Sequence, residues 1–252
     1  MTATATVARP PRTTTTTAAR RIVRFIAYAL RAMLAGYWLL MVLGFALVGV
    51  GMHLVNGTIH ESVWDYASQS PKYFSSAIGM VLMPSFFALM VAHGVTRRSF
   101  ALAGSILLVL TATATTVLWV VVYQLEHVIF AWRDWPQELM NAHLFTKTSQ
   151  AGLIFLEFFL LILTHQVAGW LIGTGFFRWG FWTGLALIPL GLVPVVAAEL
   201  LLVAGWAGRV LLDAGWDRPS LLVSVPAVLL VSAAGLYLNY RLMRPIGLKQ
   251  IK

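Results

Sequence analysis

Cysteine is absent from this 252-residue chain, which excludes disulfides, thiolate catalysis and cysteine-ligated metals. Charge is scarce as well: 11% of residues are Asp, Glu, Lys or Arg, against 59% hydrophobic. Soluble domains carry about a quarter charged residues and about half apolar ones. A mean hydropathy of +0.80 sets this chain outside that class. Motifs of soluble chemistry are missing too. The sequence holds no GxxxxGK phosphate loop, no GxSxG elbow and no paired-aspartate motif, so neither an enzyme active site nor a bound cofactor is expected in it. Its six histidines include no HExxH or HxxxH pair. A haem or metal centre assembled from His53, His60, His127 and His143 therefore has no ligand spacing to support it.

What the chain has instead is a series of apolar runs. About 20 such residues in a helix cross a hydrocarbon layer about 30 Å thick. Six runs qualify, at 33–55, 74–95, 100–124, 149–174, 181–205 and 220–240. They predict an all-α, polytopic membrane protein in which residues 20–252 form one transmembrane domain, with almost no length left over for a soluble one. Threading the chain through six spans sorts its charges. One side collects Arg9, Arg12, Arg20, Arg21, Arg24, Arg31, Arg97, Arg98, Arg178, Arg241, Arg244, Lys249 and Lys252, and no acid. The other side holds Lys72, Arg133, Lys147, Arg209 and Arg218 with a larger set of acids: Glu61, Asp65, Glu126, Asp134, Glu138, Asp213 and Asp217. The Lys/Arg excess assigns the first side, with both termini, to the cytoplasm of a bacterial cell (inner) membrane. The net charge of +9 is thus a topology signal, and nucleic acid is not an expected partner.

Residues 1–19 are threonine-rich and proline-broken, and are read as a disordered cytoplasmic tail. Residues 20–32 (RRIVRFIAYALRA) alternate an apolar stripe (Ile22, Phe25, Ile26, Ala29) with a basic face carrying Arg21, Arg24 and Arg31 beside Arg20. This pattern predicts an amphipathic helix lying at the lipid interface; the alternative is a plain extension of the first span. Tryptophans near both boundaries form an interfacial belt. Residues 203–219 are apolar but glycine-interrupted, as expected of a segment that dips partway into the outer leaflet against protein or lies on it.

Polar groups inside the spans are candidates for function. Gln150, Glu157 and Thr164 recur at seven-residue spacing with His165 alongside. Glu157 lies about 12 Å from the helix end, where a carboxylate costs about 2.5–3.5 kcal/mol unless it faces protein or water. It is either a substrate- or proton-contacting group or a hydrogen-bonded structural acid. Glu199, in the span kinked by Pro189 and Pro194, reads more simply as an acid reaching the interface. The hydroxyls of span three (Ser105, Thr111, Thr113, Thr115 and Thr116) can bond back to their own helix and are read as packing groups rather than a permeation path.

One turn carries a family likeness. PSFFALMV running into HGVTRRSF, between spans two and three, resembles the turn of ABC type-2 transporter permeases: a glycine, then Thr-Arg, then an aromatic. FFRWGFWTG (176–184) resembles the arginine-containing turn between their fourth and fifth spans. The family's layout also matches: a basic interfacial helix, six spans, termini inside, and short re-entrant helices before the last span. The resemblance implies a half-size exporter subunit that pairs with a second permease subunit, identical or related. A separate ATP-binding-cassette ATPase would carry ATP and Mg. It further implies that Gly94, Thr96, Arg97, Arg98 and Phe100 contact that ATPase. The apolar path would suit amphipathic, lipid-like or drug-like cargo. The alternative is a proton-coupled carrier or accessory/sensor subunit using Glu157 and His165 as titrating groups.

Overall fold

The computed structural model describes residues 15–247. Within them the chain is helical, without a β-strand; only two isolated bridges occur, Glu61 with Glu138 and Ala142 with Gly205. Six helical segments are long and apolar enough to cross a membrane: Thr15–Asn56, Val63–Ala92, Arg97–Trp132, Ala151–Trp179, Phe181–Leu202 and Leu221–Met243. The protein is an all-α, multi-pass membrane protein.

The first segment is a single helix, α1 (Thr15–Asn56). At 1.5 Å per residue it is about 63 Å long, roughly twice the hydrocarbon thickness. No separate interfacial helix exists at 20–32, which corrects the first of the two sequence expectations in favour of the extension. The reason is local: no proline and no glycine occurs between Thr15 and Gly36, and Ala, Arg and Leu are strong helix formers. Ile22, Ile26 and Leu30 are buried against the protein rather than in lipid, while Arg20, Arg21, Arg24 and Arg31 are exposed. Residues 15–19 of the expected tail belong to this helix, and residues 1–14 lie outside the described part.

The second span is composite: α2 (Val63–Tyr66), α3 (Ser70–Leu82), a π-helical turn (Met83–Phe87) and α4 (Ala88–Ala92). Pro84 has no N–H to continue the α ladder, and the wider turn accommodates it. After α5 (Arg97–Trp132) and an irregular connection comes α6 (Ala151–Trp179). Span five is α7 (Phe181–Ala186) and α8 (Ile188–Leu202), interrupted at Leu187 just before Pro189. The 203–219 segment holds α9 (Gly205–Asp213), and α10 (Leu221–Met243) closes the bundle.

Helix α6 is the central post, buried from Leu160 to Gly175. Its closest neighbour is α3, and glycine makes the approach possible. A Cβ at Gly169 would overlap the carbonyl of Ser76, and one at Gly79 the carbonyl of Gln166. Such smooth helix surfaces let backbones touch in lipid, where packing rather than the hydrophobic effect holds helices together. Around this post Trp119, Trp170, Phe100, Phe87 and Phe158 fill the core, all essentially inaccessible.

The bundle has two unlike ends. At the basic end Arg97 reaches the carbonyl of Ile246, and Arg178 reaches that of Leu242. Turns 93–96 and 178–180 and the close of α10 thus lie together. The opposite end gathers 57–62, 133–150 and 203–220, tied by Ser62 N–H to Glu138 (3.0 Å) and Gly205 N–H to Ala142 (2.8 Å).

Candidate functional site

Two arrangements stand out, one at each end. At the basic end α4 stops at His93, and Gly94 takes φ +79°, a left-handed conformation that favours glycine. The chain returns so that Thr96 caps α5, its Oγ1 accepting from the Ser99 N–H at 3.1 Å. The Arg97 guanidinium donates to the carbonyl of Ile246 at 2.5 Å. Phe100 is fully buried, edge-on to Phe87 (5.4 Å) and Trp170 (6.4 Å). His93, Gly94, Thr96 and Arg98 remain exposed, and among the described residues Arg98 has no ion-pair partner. The turn is capped, cationic and joined to the core through Phe100 and Val95. Beside it a groove of about 700 Å³ runs between Arg21, Ile22 and Phe25 of α1 and Met90, His93 and Thr96.

At the opposite end a network of charges is buried. His143, in the irregular connection, lies between two carboxylates. Its Nε2 is 2.7 Å from Asp65 Oδ1 and its Nδ1 is 2.7 Å from Glu157 Oε1. An ionised carboxylate only accepts hydrogen bonds, so both ring nitrogens carry protons and the ring is an imidazolium. Burial opposes that charge, but Glu157 and Asp65 outweigh it and His143 is pushed up to about 9. Phe145 stacks on the ring at 4.4 Å.

The carboxylates are otherwise satisfied. Asp65 Oδ2 accepts from the Met140 and Asn141 amides (2.5 and 3.0 Å), and Glu157 Oε2 from the Leu144 amide (2.6 Å). One step away Lys72 pairs with Glu199 at 3.6 Å, the lysine being 2% exposed. Two cations thus meet three carboxylates, and Arg218 approaches as a third cation, donating to the carbonyls of His143 (2.6 Å) and Val203 (3.0 Å). The Val203 carbonyl belongs to a left-handed residue (φ +46°) that ends α8.

These contacts reassign several residues. Asp65, Lys72 and Glu126, expected in loops, lie in helices and are buried. Glu126 Oε1 accepts from the first amides of α2, Val63 (2.7 Å) and Trp64 (3.1 Å). Glu199, partly buried, pairs with the buried Lys72. Gln150, expected on one stripe with Glu157, precedes α6 and accepts from the Thr146 amide at 2.8 Å. Thr164 bonds the Leu160 carbonyl and Ser232 of α10. His165 bonds the Leu161 carbonyl at 2.7 Å and lies edge-on to Tyr73. The expected stripe is therefore three separate contacts, and Glu157 engages His143 rather than His165. Of the four histidines at this end, His53 meets Arg133 and His127 meets Gln137. Among the described residues no group of three His, Asp or Glu is placed to hold a metal.

The chain matches no protein-family model, no curated protein and no solved structure. Its function has to be read from these two arrangements.

Proposed function

We propose that this protein is the membrane permease subunit of an ATP-driven exporter. In this reading the basic end faces the cytoplasm and docks a separate ATPase. The observation that carries the proposal is the turn from His93 to Phe100. It presents Arg98, His93 and Thr96 to solvent from a capped helix start that Arg97 ties to the last span. A force applied there moves two spans and the end of α10 together, which is how a rigid-body transition is transmitted. Cationic groups on a short rigid element suit an acidic groove on a partner. The turn's likeness to ABC type-2 permeases supports the same reading. Two permease subunits, identical or related, would enclose the path, and ATP and Mg would act on the partner chain. Cargo would be amphipathic, lipid-like or drug-like, in keeping with helices that show few charges.

The opposite end fits a supporting role. Its Asp65–His143–Glu157 and Lys72–Glu199 contacts pin the 133–150 connection over the bundle, giving the moving helices a fixed cap. Replacing both arginines (Arg97→Glu with Arg98→Glu) tests the assignment: co-purification with an ATPase and ATP-dependent efflux should both be lost. Retention of both defeats the docking role.

A proton-coupled carrier is the second reading, favoured by the burial of Asp65, His143, Glu157, Lys72 and Glu199 in one connected region. Efflux that survives ATP depletion but stops when the proton gradient collapses selects it.

A further inference from the structure

A second groove, of about 580 Å³, opens between α1 and α5 toward the less basic end. Its walls are aliphatic and aromatic, from Ala46, Gly49 and Val50 on α1 and Leu125, Ile129 and Phe130 on α5. Its mouth is cationic. Arg133 follows the last turn of α5, exposed, with its guanidinium 5.2 Å from the centre of the Trp135 ring and 5.7 Å from that of Trp132. Its Nη2 is 3.3 Å from His53 Nε2, while His53 Nδ1 is 2.5 Å from the Gly57 carbonyl. A carbonyl only accepts, so Nδ1 bears the proton and Nε2 offers a lone pair to the arginine. The His53 ring therefore orients the guanidinium without compensating its charge.

Among the other cations at this end, Lys72 has Glu199, Arg209 has Asp213, and Arg218 is held by the carbonyls of His143 and Val203. Arg133 has none among the described residues. The acid lining the groove, Glu126, is already committed to Ser62, Val63, Trp64 and Gln137. An apolar slot ends under an exposed cation with no carboxylate partner, flanked by Trp132 and Trp135, the residue type enriched where lipid headgroups begin.

We propose that this groove is a binding site for an anionic glycerophospholipid, with one acyl chain between α1 and α5 and its phosphate at Arg133. The site is independent of what the protein transports. A cation at the surface of an anionic layer contributes about a fivefold preference.

The test is native mass spectrometry of the purified chain in detergent with phosphatidylglycerol or phosphatidylcholine added at equal concentration. The unaltered protein should retain the anionic lipid about fivefold better. Arg133→Gln should bring that ratio to about one, and Arg133→Lys should keep most of it. Ala46→Phe, which fills the groove from an exposed position, should lower occupancy by both lipids. Equal retention by the unaltered protein, or a preference that survives Arg133→Gln, overturns the site. Unchanged occupancy in Ala46→Phe removes the acyl slot. Loss of the preference on adding millimolar inorganic phosphate would point to a bare anion site and overturns the lipid assignment too. Detergent melting of each variant, recorded alongside, separates these outcomes from misfolding.

Discussion

Removing His143 is the sharpest perturbation the structure offers. Its imidazolium bridges Asp65 and Glu157 at 2.7 Å on each side, and His143→Ala would leave two buried carboxylates facing each other. Breaking a buried ion pair from one side costs about 3–5 kcal/mol. The ionisation balance gives a similar figure, since a histidine held at about 9 against an ordinary 6.5 contributes about 3 kcal/mol. The pH window follows from the same shift. Because the folded protein holds this proton more tightly than the unfolded chain, the contribution is complete below pH 6.5. It fades as pH rises toward 9. Asp65, Glu157, Lys72 and Arg218 all face or approach the ring, so the measurement is a difference between His143→Ala and the unaltered protein. Unfolding in mixed micelles, followed by tryptophan fluorescence from pH 6 to 9.5, should show a gap of about 3 kcal/mol at pH 6 that narrows steadily above pH 7. A gap independent of pH, or one below about 1 kcal/mol at pH 6, refutes the imidazolium bridge.

Other consequences are direct. Lys72→Met should cost about 3–5 kcal/mol by stranding Glu199, and adding Glu199→Gln should restore most of it in the same unfolding assay. Gly169→Leu should abolish folded material on size-exclusion chromatography, because its side chain would run into the Ser76 backbone. Gly36→Ala, with open space around it, should leave the elution profile unchanged. Thr96→Ala should lower stability by about 1 kcal/mol through loss of the α5 cap, with Thr96→Ser recovering it. A larger loss than Gly169→Leu would show that the turn, not the α3–α6 seam, dominates stability.

Much of this architecture was legible in the chain. Spans are written in long apolar runs because lipid demands them, and the mixed charges at the opposite end separate cleanly from the arginines of the basic end. Boundaries were less legible: α5 continues to Trp132, beyond the apolar run that ended at 124, since the Glu126 carboxylate accepts hydrogen bonds from Ser62, α2 and Gln137 that only the fold supplies. The same holds for Asp65, Lys72 and His143. Each is an ordinary polar residue flanking a span, and nothing in its local sequence says that it turns inward. Glu157 was visible because a carboxylate inside an apolar run is conspicuous by itself; its partner, fourteen residues earlier in an irregular segment, was not. Helix α1 shows the converse error. An amphipathic stripe suited to lipid is equally suited to a protein groove, and periodicity does not distinguish them.

The proposed role rests on the exposed turn at the basic end, and the absence of cysteine makes it directly accessible to chemistry. A single thiol introduced by Arg98→Cys, carrying a photo-crosslinker in cells, should yield an adduct with an ATP-binding polypeptide and should resist impermeant reagents until the membrane is opened. Labelling from outside intact cells, or adducts that contain no ATP-binding chain, would contradict the account.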